Sequence, residues 1–300
     1  MPHSHHRIWA AERSQFTGER NAAAALGITR DGDLGLDSTD PAQRRLRAML
    51  ALAVLNCGKN AAWLSETYLY ELSLYSFIVS PRQDDLVLIS GAAQNIANRL
   101  LPGEHKDDTL CLPGMRLLSD PDSAYQLIHL PTGGRITTTT RSDGTGGGRS
   151  CRAWSWRRAD EPITPREAEI LDALPSMTPD AEVLLAALTS RLWLRDPQGS
   201  WAIGGWFNPP PHRDRQTTRS HGHSRRLDGS GDRWEIAWTS YPYPEDLVTA
   251  LSHPRAGLQG VQVVPEGEVT HLLYGTARLS VVPAARATQG RHEGASGLWR

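Results

Sequence analysis

The sequence has few cysteines and no long apolar run. Cys57, Cys111 and Cys151 stand alone, without C-x-x-C spacing, which argues against a disulfide framework and a cysteine zinc site. The best apolar run, residues 49–55, is far too short to cross a bilayer, and the N-terminus lacks the apolar core of a signal peptide. We therefore expect a soluble cytoplasmic protein that has no membrane partner.

Lysine and net charge are also scarce. Lys59 and Lys106 are the only lysines among 32 cationic side chains, an arginine preference that is typical of a GC-rich bacterial genome. The formal net charge is -1, so no overall field draws the chain to nucleic acid or to an anionic membrane. Residues 131–226, however, hold 14 arginines against 10 acidic side chains. Any attraction to an anionic partner is therefore local.

Residues 1–103 favour a helical segment followed by a β-hairpin. Residues 1–15, which include three histidines, show no clear pattern, and we expect them to be disordered. Asp40 and Pro41 are typical of an N-cap and a first helical position, and good helix formers follow them. The runs ELSLYSFIV and LVLIS, separated by SPRQDD, predict a hairpin, and GAAQNIANRLL predicts the next helix.

The tetrapeptide TTRS occurs at residues 139–142 and again at 217–220, and its surroundings also match. The matching positions are Asp120 with Asp196, Arg135 with Arg213, and Trp154 and Trp156 with Trp234 and Trp238. Strand-like runs followed by a helix-like run in each copy indicate a duplicated β-β-β-α unit. We therefore predict an α+β fold with an antiparallel sheet built from tandem units, the first at residues 104–176 and the second, with C-terminal closing strands, at residues 177–300.

The connection HRDRQTTRSHGHSRR in the second unit concentrates cations around one aspartate. Its cationic and imidazole side chains are His212, Arg213, Arg215, Arg219, His221, His223, Arg225 and Arg226. The planar guanidinium fork matches phosphate and carboxylate oxygens, so the loop predicts binding of nucleic acid or of an acidic protein surface. The chain is then a non-enzymatic adaptor for an anionic macromolecule.

A strand-like run in the first unit, CRAWSWRR, interleaves aromatic and basic residues. Trp154 and Trp156 stand close to Arg152, and exposed tryptophans of this kind stack on unpaired bases. The same alternation fits a strand whose tryptophans face a covering helix. Both interpretations stay open on the sequence.

Three histidines near the same loop raise the question of a metal. His221 and His223 are two residues apart with His212 nearby, a spacing that on a strand suits a transition metal. No carboxylate or cysteine completes the ligand set, and the neighbouring arginines repel a cation. We therefore predict neither a metal site nor a bound cofactor.

The stretch ITPREAEILDAL resembles the first helix of a LuxR-type helix-turn-helix. Two prolines stand in the following stretch, where that motif has its recognition helix. Thr164, Pro165 and Glu167 instead have the spacing of a capping box, which predicts a helix that begins here.

Near the C-terminus, PEGEVTHLLYG contains an E-x-E sequence formed by Glu266 and Glu268. It resembles the E-x-E strand of ADP-ribosyltransferase toxins. The resemblance implies that Glu268 stabilises the oxocarbenium ion as nicotinamide leaves and that Glu266 orients the acceptor. It also implies that Arg191 or Arg195 holds NAD. An NAD-dependent enzyme is therefore the alternative to an adaptor, and a purely structural assembly protein is a second alternative.

Overall fold

The computed structural model describes residues 2–56, 78–103, 111–120, 124–140, 155–199, 226–238 and 244–283. The helices in these ranges are α1 (Pro2–Thr17), α2 (Asn21–Ala25), α3 (Pro41–Leu55), α4 (Ala93–Leu100), α5 (Pro165–Asp172), α6 (Pro179–Arg191) and α7 (Pro244–Ser252). The strands are β1 (Ile78–Pro81), β2 (Leu86–Ile89), β3 (Met115–Ser119), β4 (Ala124–His129), β5 (Arg135–Thr139), β6 (Arg226–Ser230), β7 (Arg233–Trp238), β8 (Gln262–Glu266), β9 (Val269–Tyr274) and β10 (Ala277–Pro283). None of these helices is long and apolar enough to cross a membrane.

The strands form two five-stranded sheets, in the orders β1-β2-β5-β4-β3 and β6-β7-β10-β9-β8. Helices and sheets together confirm the predicted α+β class. Each sheet is mixed, because β2 runs parallel to β5 and β7 runs parallel to β10, whereas the other neighbours are antiparallel. The expectation of purely antiparallel pairing is therefore not confirmed. In each sheet the last strand in chain order lies in the middle. β5 lies between β2 and β4, and β10 lies between β7 and β9.

The chain repeats one arrangement, hairpin-helix-three strands, with the same strand order in both copies. The first copy begins at Ile78 with α4 inside it, and the second begins at Arg226 with α7 inside it. The copies are thus offset by about 150 residues, roughly twice the spacing of the TTRS match. The tandem β-β-β-α alignment is not confirmed, because Asp120 follows β3 whereas Asp196 lies in a turn after α6.

The predicted boundary at residue 103 falls inside the first sheet. β1 and β2 precede it and β3 to β5 follow it, yet the five strands hydrogen-bond as one sheet. The predicted segment 177–300 contains α6 and the whole second sheet. α5 stands between the two copies, outside both.

Each copy is preceded by a helix, and these two helices pack against each other. α3 begins as predicted, with Pro41 at its first position and the Asp40 carboxylate accepting the Ala42 N–H at 3.0 Å. α6 begins in the same way, with Thr178 as its N-cap. Most side chains of both helices are buried, and the Thr189 hydroxyl donates to the Arg47 carbonyl across the helix pair at 2.7 Å. The two helices therefore pack against each other through their buried sides.

Polar side chains align the helices with the sheets. The Gln43 amide exchanges two hydrogen bonds with the Arg135 backbone at the start of β5, at 2.8 and 3.0 Å. Asn56, just after α3, makes the same two-bond contact with the backbone of Leu227 in β6, at 2.9 and 3.1 Å. α3 is therefore tied to both sheets.

The N-terminal segment is helical rather than disordered, because a buried arginine holds it. Arg13 of α1 is fully buried, pairs with Glu19 at 2.9 Å and donates to the Pro81 carbonyl of β1 at 2.7 Å. A buried guanidinium needs such acceptors. Composition gave no sign of this contact, since nothing in the sequence marks which arginine turns inward.

Candidate protein-binding edge of the second sheet

The predicted arginine and histidine loop lies almost wholly outside the described residues. This holds for His212, Arg213, Arg215, Arg219, His221, His223 and Arg225. Arg226 opens β6, where its guanidinium forms an ion pair with Asp228. The loop stays a prediction.

Of the predicted stacking residues, Arg152 and Trp154 also lie outside the described ranges. Trp156 is half-buried, and its ring meets that of Tyr125 edge to face with centroids 5.3 Å apart. The Trp156 indole N–H donates to the Asn98 side-chain oxygen of α4 at 3.3 Å. This tryptophan therefore packs on the helix-covered face of the first sheet.

The E-x-E residues stand at the hairpin that joins β8 to β9. Glu266 ends β8 and Glu268 lies in the two-residue turn, both exposed. The Glu266 carboxylate is 2.9 Å from the His271 Nε2, and the His271 Nδ1 is 3.0 Å from the Ser280 hydroxyl. These side chains form a polar row across three neighbouring strands.

Arg191, the predicted NAD-binding arginine, is engaged inside the protein. It is buried, and its guanidinium makes a bidentate ion pair with Asp37 at 2.6 and 2.8 Å. The remaining Nε donates to the Ala256 carbonyl at 2.7 Å. Arg195, the other candidate, is exposed and donates to the Gln15 carbonyl at 3.1 Å. Every nitrogen of the Arg191 guanidinium thus already has an acceptor.

The described residues contain no cluster of three or more histidine, cysteine, aspartate or glutamate side chains that could hold a metal ion. The predicted histidines of the loop lie outside this search, because they are outside the described ranges.

The two copies differ at one outer edge, and this difference defines the candidate site. In the first sheet a covering segment, residues 155–162, meets the edge strand β3 at Leu117. The Leu117 N–H donates to the Arg157 carbonyl at 2.9 Å, and the Ala159 N–H donates to the Leu117 carbonyl at 3.0 Å. These two bonds make a parallel bridge between Leu117 and Arg158. The edge of the first sheet is therefore closed by the chain itself.

A buried ion pair holds this covering segment in place. Arg116 of β3 donates to the carbonyls of Glu161 at 3.1 Å and Pro162 at 2.7 Å. Its guanidinium also pairs with Glu167 of α5 at 2.7 and 2.8 Å. Both side chains of the pair are fully buried. β3, the covering segment and α5 are thus fixed by one arginine.

The Glu167 carboxylate also belongs to the capping box that the sequence predicts, and the structure confirms this capping box. It accepts the Thr164 N–H at 2.9 Å, while the Thr164 hydroxyl accepts the Glu167 N–H at 3.1 Å. Burial alone would raise the pKa of Glu167, but the hydrogen bonds from Arg116, Thr164 and Gly114 hold that pKa at about 2. The carboxylate is therefore charged at any physiological pH.

In the second sheet the corresponding edge strand, β8, is exposed along its whole length. A two-residue turn joins β8 to β9, so the flanking pair Glu266 and Val269 is hydrogen-bonded and the pairs alternate from there. Val264 therefore turns its backbone N–H and C=O toward β9, and Val263 turns both outward. Among the described residues, none bonds to these outward groups of Val263.

The register shows that Val263 occupies the position of Leu117. Two rows of directly paired residues cross the sheets, namely Leu117, Leu127 and Ile136 in the first and Val263, Leu272 and Leu279 in the second. The two inner members of each row are fully buried. The outer members differ, because Leu117 is 3% exposed and Val263 is 40% exposed. The position is thus bridged in the first sheet, whereas in the second sheet no described residue bridges it.

Comparison with known proteins adds no relative. No protein-family model, curated protein or solved structure matches the chain. The candidate site therefore rests on the geometry of this molecule, in which one copy serves as the reference for the other.

The sequence predicts closing strands near the C-terminus but not which of their edges stays unpaired. One signal for it was present. Proline cannot donate to a ladder and is confined to edges and strand ends, and Pro265 stands inside the run that forms β8. The exposure of Val263 had no such signal, since two adjacent valines look alike in a sequence.

Proposed function

We propose that the protein is a non-enzymatic adaptor that binds a protein partner by adding a strand to β8. The observation that carries the proposal is the contrast between two equivalent positions. The backbone of Leu117 is bridged by residues 155–159. The N–H and C=O of Val263 point outward in the same way, but no described residue bonds to them. Strand addition to an open sheet edge is a common mode of peptide recognition.

The chemistry of β8 supports this role. Natural sheets protect exposed edges with charges, prolines or covering segments, because an open edge pairs with other chains. Pro265 protects the end of β8, but Val263 and Val264 leave an apolar surface exposed at 40% and 41%. The open stretch is short, and the bridge that closes β3 is equally short, since it uses the backbone of Leu117 alone.

Site-specific photo-crosslinking tests the proposal with a matched control. A photoreactive phenylalanine analogue is placed at Val263 or at Val264 in the full chain, in the cell that makes it. The two valines are equally exposed, and their side chains point to opposite faces of the sheet, so a strand added to β8 lies beside both. We expect the same protein to be crosslinked from both positions; the matched control is Val263→Pro, which removes the outward N–H and should abolish the adduct from position 264. That protein, purified, should bind the wild-type chain and lose affinity for Val263→Pro.

Other outcomes decide against the proposal. An adduct from position 264 that survives Val263→Pro indicates non-specific adhesion to an apolar surface, and no adduct from position 263 refutes strand addition. An adduct that is a dimer of this chain favours the structural assembly alternative.

Binding of an anionic partner by the loop from His212 to Arg226 remains a proposal that rests on its charge. Arginine contacts to phosphates release counterions, so nucleic-acid affinity must fall steeply as salt rises. A mobility-shift titration across a salt series tests it. Negligible binding at low salt removes nucleic acid as the partner and leaves an acidic protein surface.

The NAD-dependent alternative rests on the E-x-E letters. NAD turnover by the wild-type chain, absent in Glu268→Ala, would support it. No turnover by either protein rejects it.

A further inference from the structure

We infer that the β8 edge takes a parallel, extended peptide segment with a bulky apolar residue two positions before the bridged residue and a cation three positions after it. This inference rests on the proposed adaptor function. The occupant is defined by the strand that fills the equivalent edge of the first sheet and by the side chains that line β8.

The first sheet supplies the backbone geometry. Its covering segment pairs in the parallel direction, with Arg158 opposite Leu117. The carbonyl before the bridged residue accepts one bond, and the N–H after it donates the other, at 2.9 and 3.0 Å. A partner strand that places its own residue opposite Val263 makes the same two bonds. The partner therefore needs an N–H at the residue after the bridged one and cannot have proline there.

The apolar preference follows from what lies two residues before the bridge. In the first sheet this residue is Trp156, which packs on the ring of Tyr125; the residue that corresponds to Tyr125 in the second sheet is Thr270, so this aromatic contact has no counterpart there. By register, the equivalent residue of a partner on β8 lies beside Val261. Val261 is partly buried and packs against the core, and it neighbours the exposed Val263. A large apolar side chain there removes this surface from water.

The cation preference follows from the other end of β8. By register, the residue three positions after the bridge lies beside Glu266. The Glu266 side chain is 78% exposed, Glu268 follows it in the exposed turn, and neither β8 nor this turn contains a lysine or arginine. The covering segment of the first sheet does not reach the corresponding position, because it turns there and the Glu161 N–H donates to the Arg158 carbonyl at 3.0 Å. A partner strand that stays extended past the bridge therefore meets Glu266 and Glu268, which favour a cation there.

Two synthetic peptides that differ only in charge test the inference. WSWRRADE copies residues 154–161, and WSWRRARR replaces its last two residues by arginines. We expect WSWRRARR to bind the full chain about tenfold more tightly than WSWRRADE, because attraction to Glu266 and Glu268 replaces repulsion. The preference should disappear in the double variant Glu266→Gln, Glu268→Gln, and a third peptide with proline in the position of Ala159, WSWRRPRR, should not bind.

Protein variants locate the binding. Val263→Pro removes the outward N–H, and Val263→Lys places a cation on the edge, so either should weaken WSWRRARR about tenfold or more. Val264→Thr, on the adjacent residue, should leave the affinity within about twofold. Amide exchange adds a direct signal, because the Val263 N–H should become protected by the peptide while the Val264 N–H is protected with or without it.

Two results overturn the inference. Equal affinities of WSWRRARR and WSWRRADE reject the charge rule, and binding that ignores both Val263 variants places the peptide elsewhere. If photo-crosslinking from position 263 finds a partner while neither peptide binds, only the inferred ligand chemistry fails. If crosslinking finds nothing, the proposed function itself fails.

Discussion

Replacing Glu167 by glutamine removes the charge that neutralises a buried arginine. Arg116 is fully buried, so the variant leaves its guanidinium without the carboxylate that compensates it inside the protein. Breaking a buried pair in this way costs about 3–5 kcal/mol. The lowering of the pKa of Glu167 from 4.5 to about 2, which the same pair brings about, corresponds to about 3 kcal/mol at neutral pH.

Urea denaturation of the full chain at pH 7 measures this cost. Glu169→Gln is the matched control, because Glu169 lies on the same helix, pairs with Arg166 at 3.0 Å and is mostly exposed. We expect that control to change the free energy of unfolding by less than about 0.5 kcal/mol. A Glu167→Gln effect as small as that of Glu169→Gln would refute the claim that the Arg116 pair anchors the covering segment.

The same pair has a pH signature. Because the folded-state pKa of Glu167 is lowered from 4.5 to about 2, its contribution is fully present above pH 4.5 and is lost as the pH falls toward 2. Glu167→Gln should remove this acid-sensitive component.

Two further predictions concern other buried polar groups. Burial lowers the pKa of His129 from 6.5 to about 4, although the hydrogen bond with the Pro113 carbonyl acts in the opposite direction. As the pH falls, His129 is therefore protonated in the unfolded chain before it is protonated in the folded one. The free energy of unfolding should fall by up to about 3 kcal/mol between pH 6.5 and 4. His129→Gln should flatten that slope in urea titrations across pH, and an unchanged slope contradicts the assignment. Asn56→Ala strands the buried N–H and C=O of Leu227 and should cost about 2–4 kcal/mol in the same assay; a loss below about 0.5 kcal/mol would mean that this contact does not couple α3 to the second sheet.

Local features were predictable from the sequence because their causes are local. Asp40 and Pro41 begin α3, and Thr164 and Glu167 form a capping box, since capping depends on residues within one turn. The hairpin of β1 and β2 follows from two β-rich runs and a polar turn. Each of these outcomes needs no knowledge of distant contacts.

The strand order was not predictable in the same way. The TTRS match suggested a repeat period that the fold does not follow, because four polar residues have little influence on how the core packs. The central parallel pair of each sheet joins strands far apart in sequence, as β2 and β5 are, and no local pattern reports such a crossover. The true repeat is conserved in topology, whereas its strands have different sequences, such as LVLI in β2 and RWEIAW in β7.

The candidate site was even less visible. The site is defined by a contrast between the copies: a segment covers the edge of the first sheet, and no described residue covers the same edge of the second. Such a contrast exists only in the folded chain. The predicted binding residues of the loop lie outside the described ranges. Arg191 turned out to be an internal anchor, since its position on the buried side of α6 brings it to Asp37 and Ala256.

Amide hydrogen exchange of the free protein, resolved by residue, tests the open edge most directly. We expect the Val263 N–H to exchange at least ~100-fold faster than the N–H groups of Leu117 and Val264, because those two are hydrogen-bonded to neighbouring strands. Equal protection of Val263 and Leu117 would mean that the edge of the second sheet is already closed, and strand addition to β8 would then be rejected.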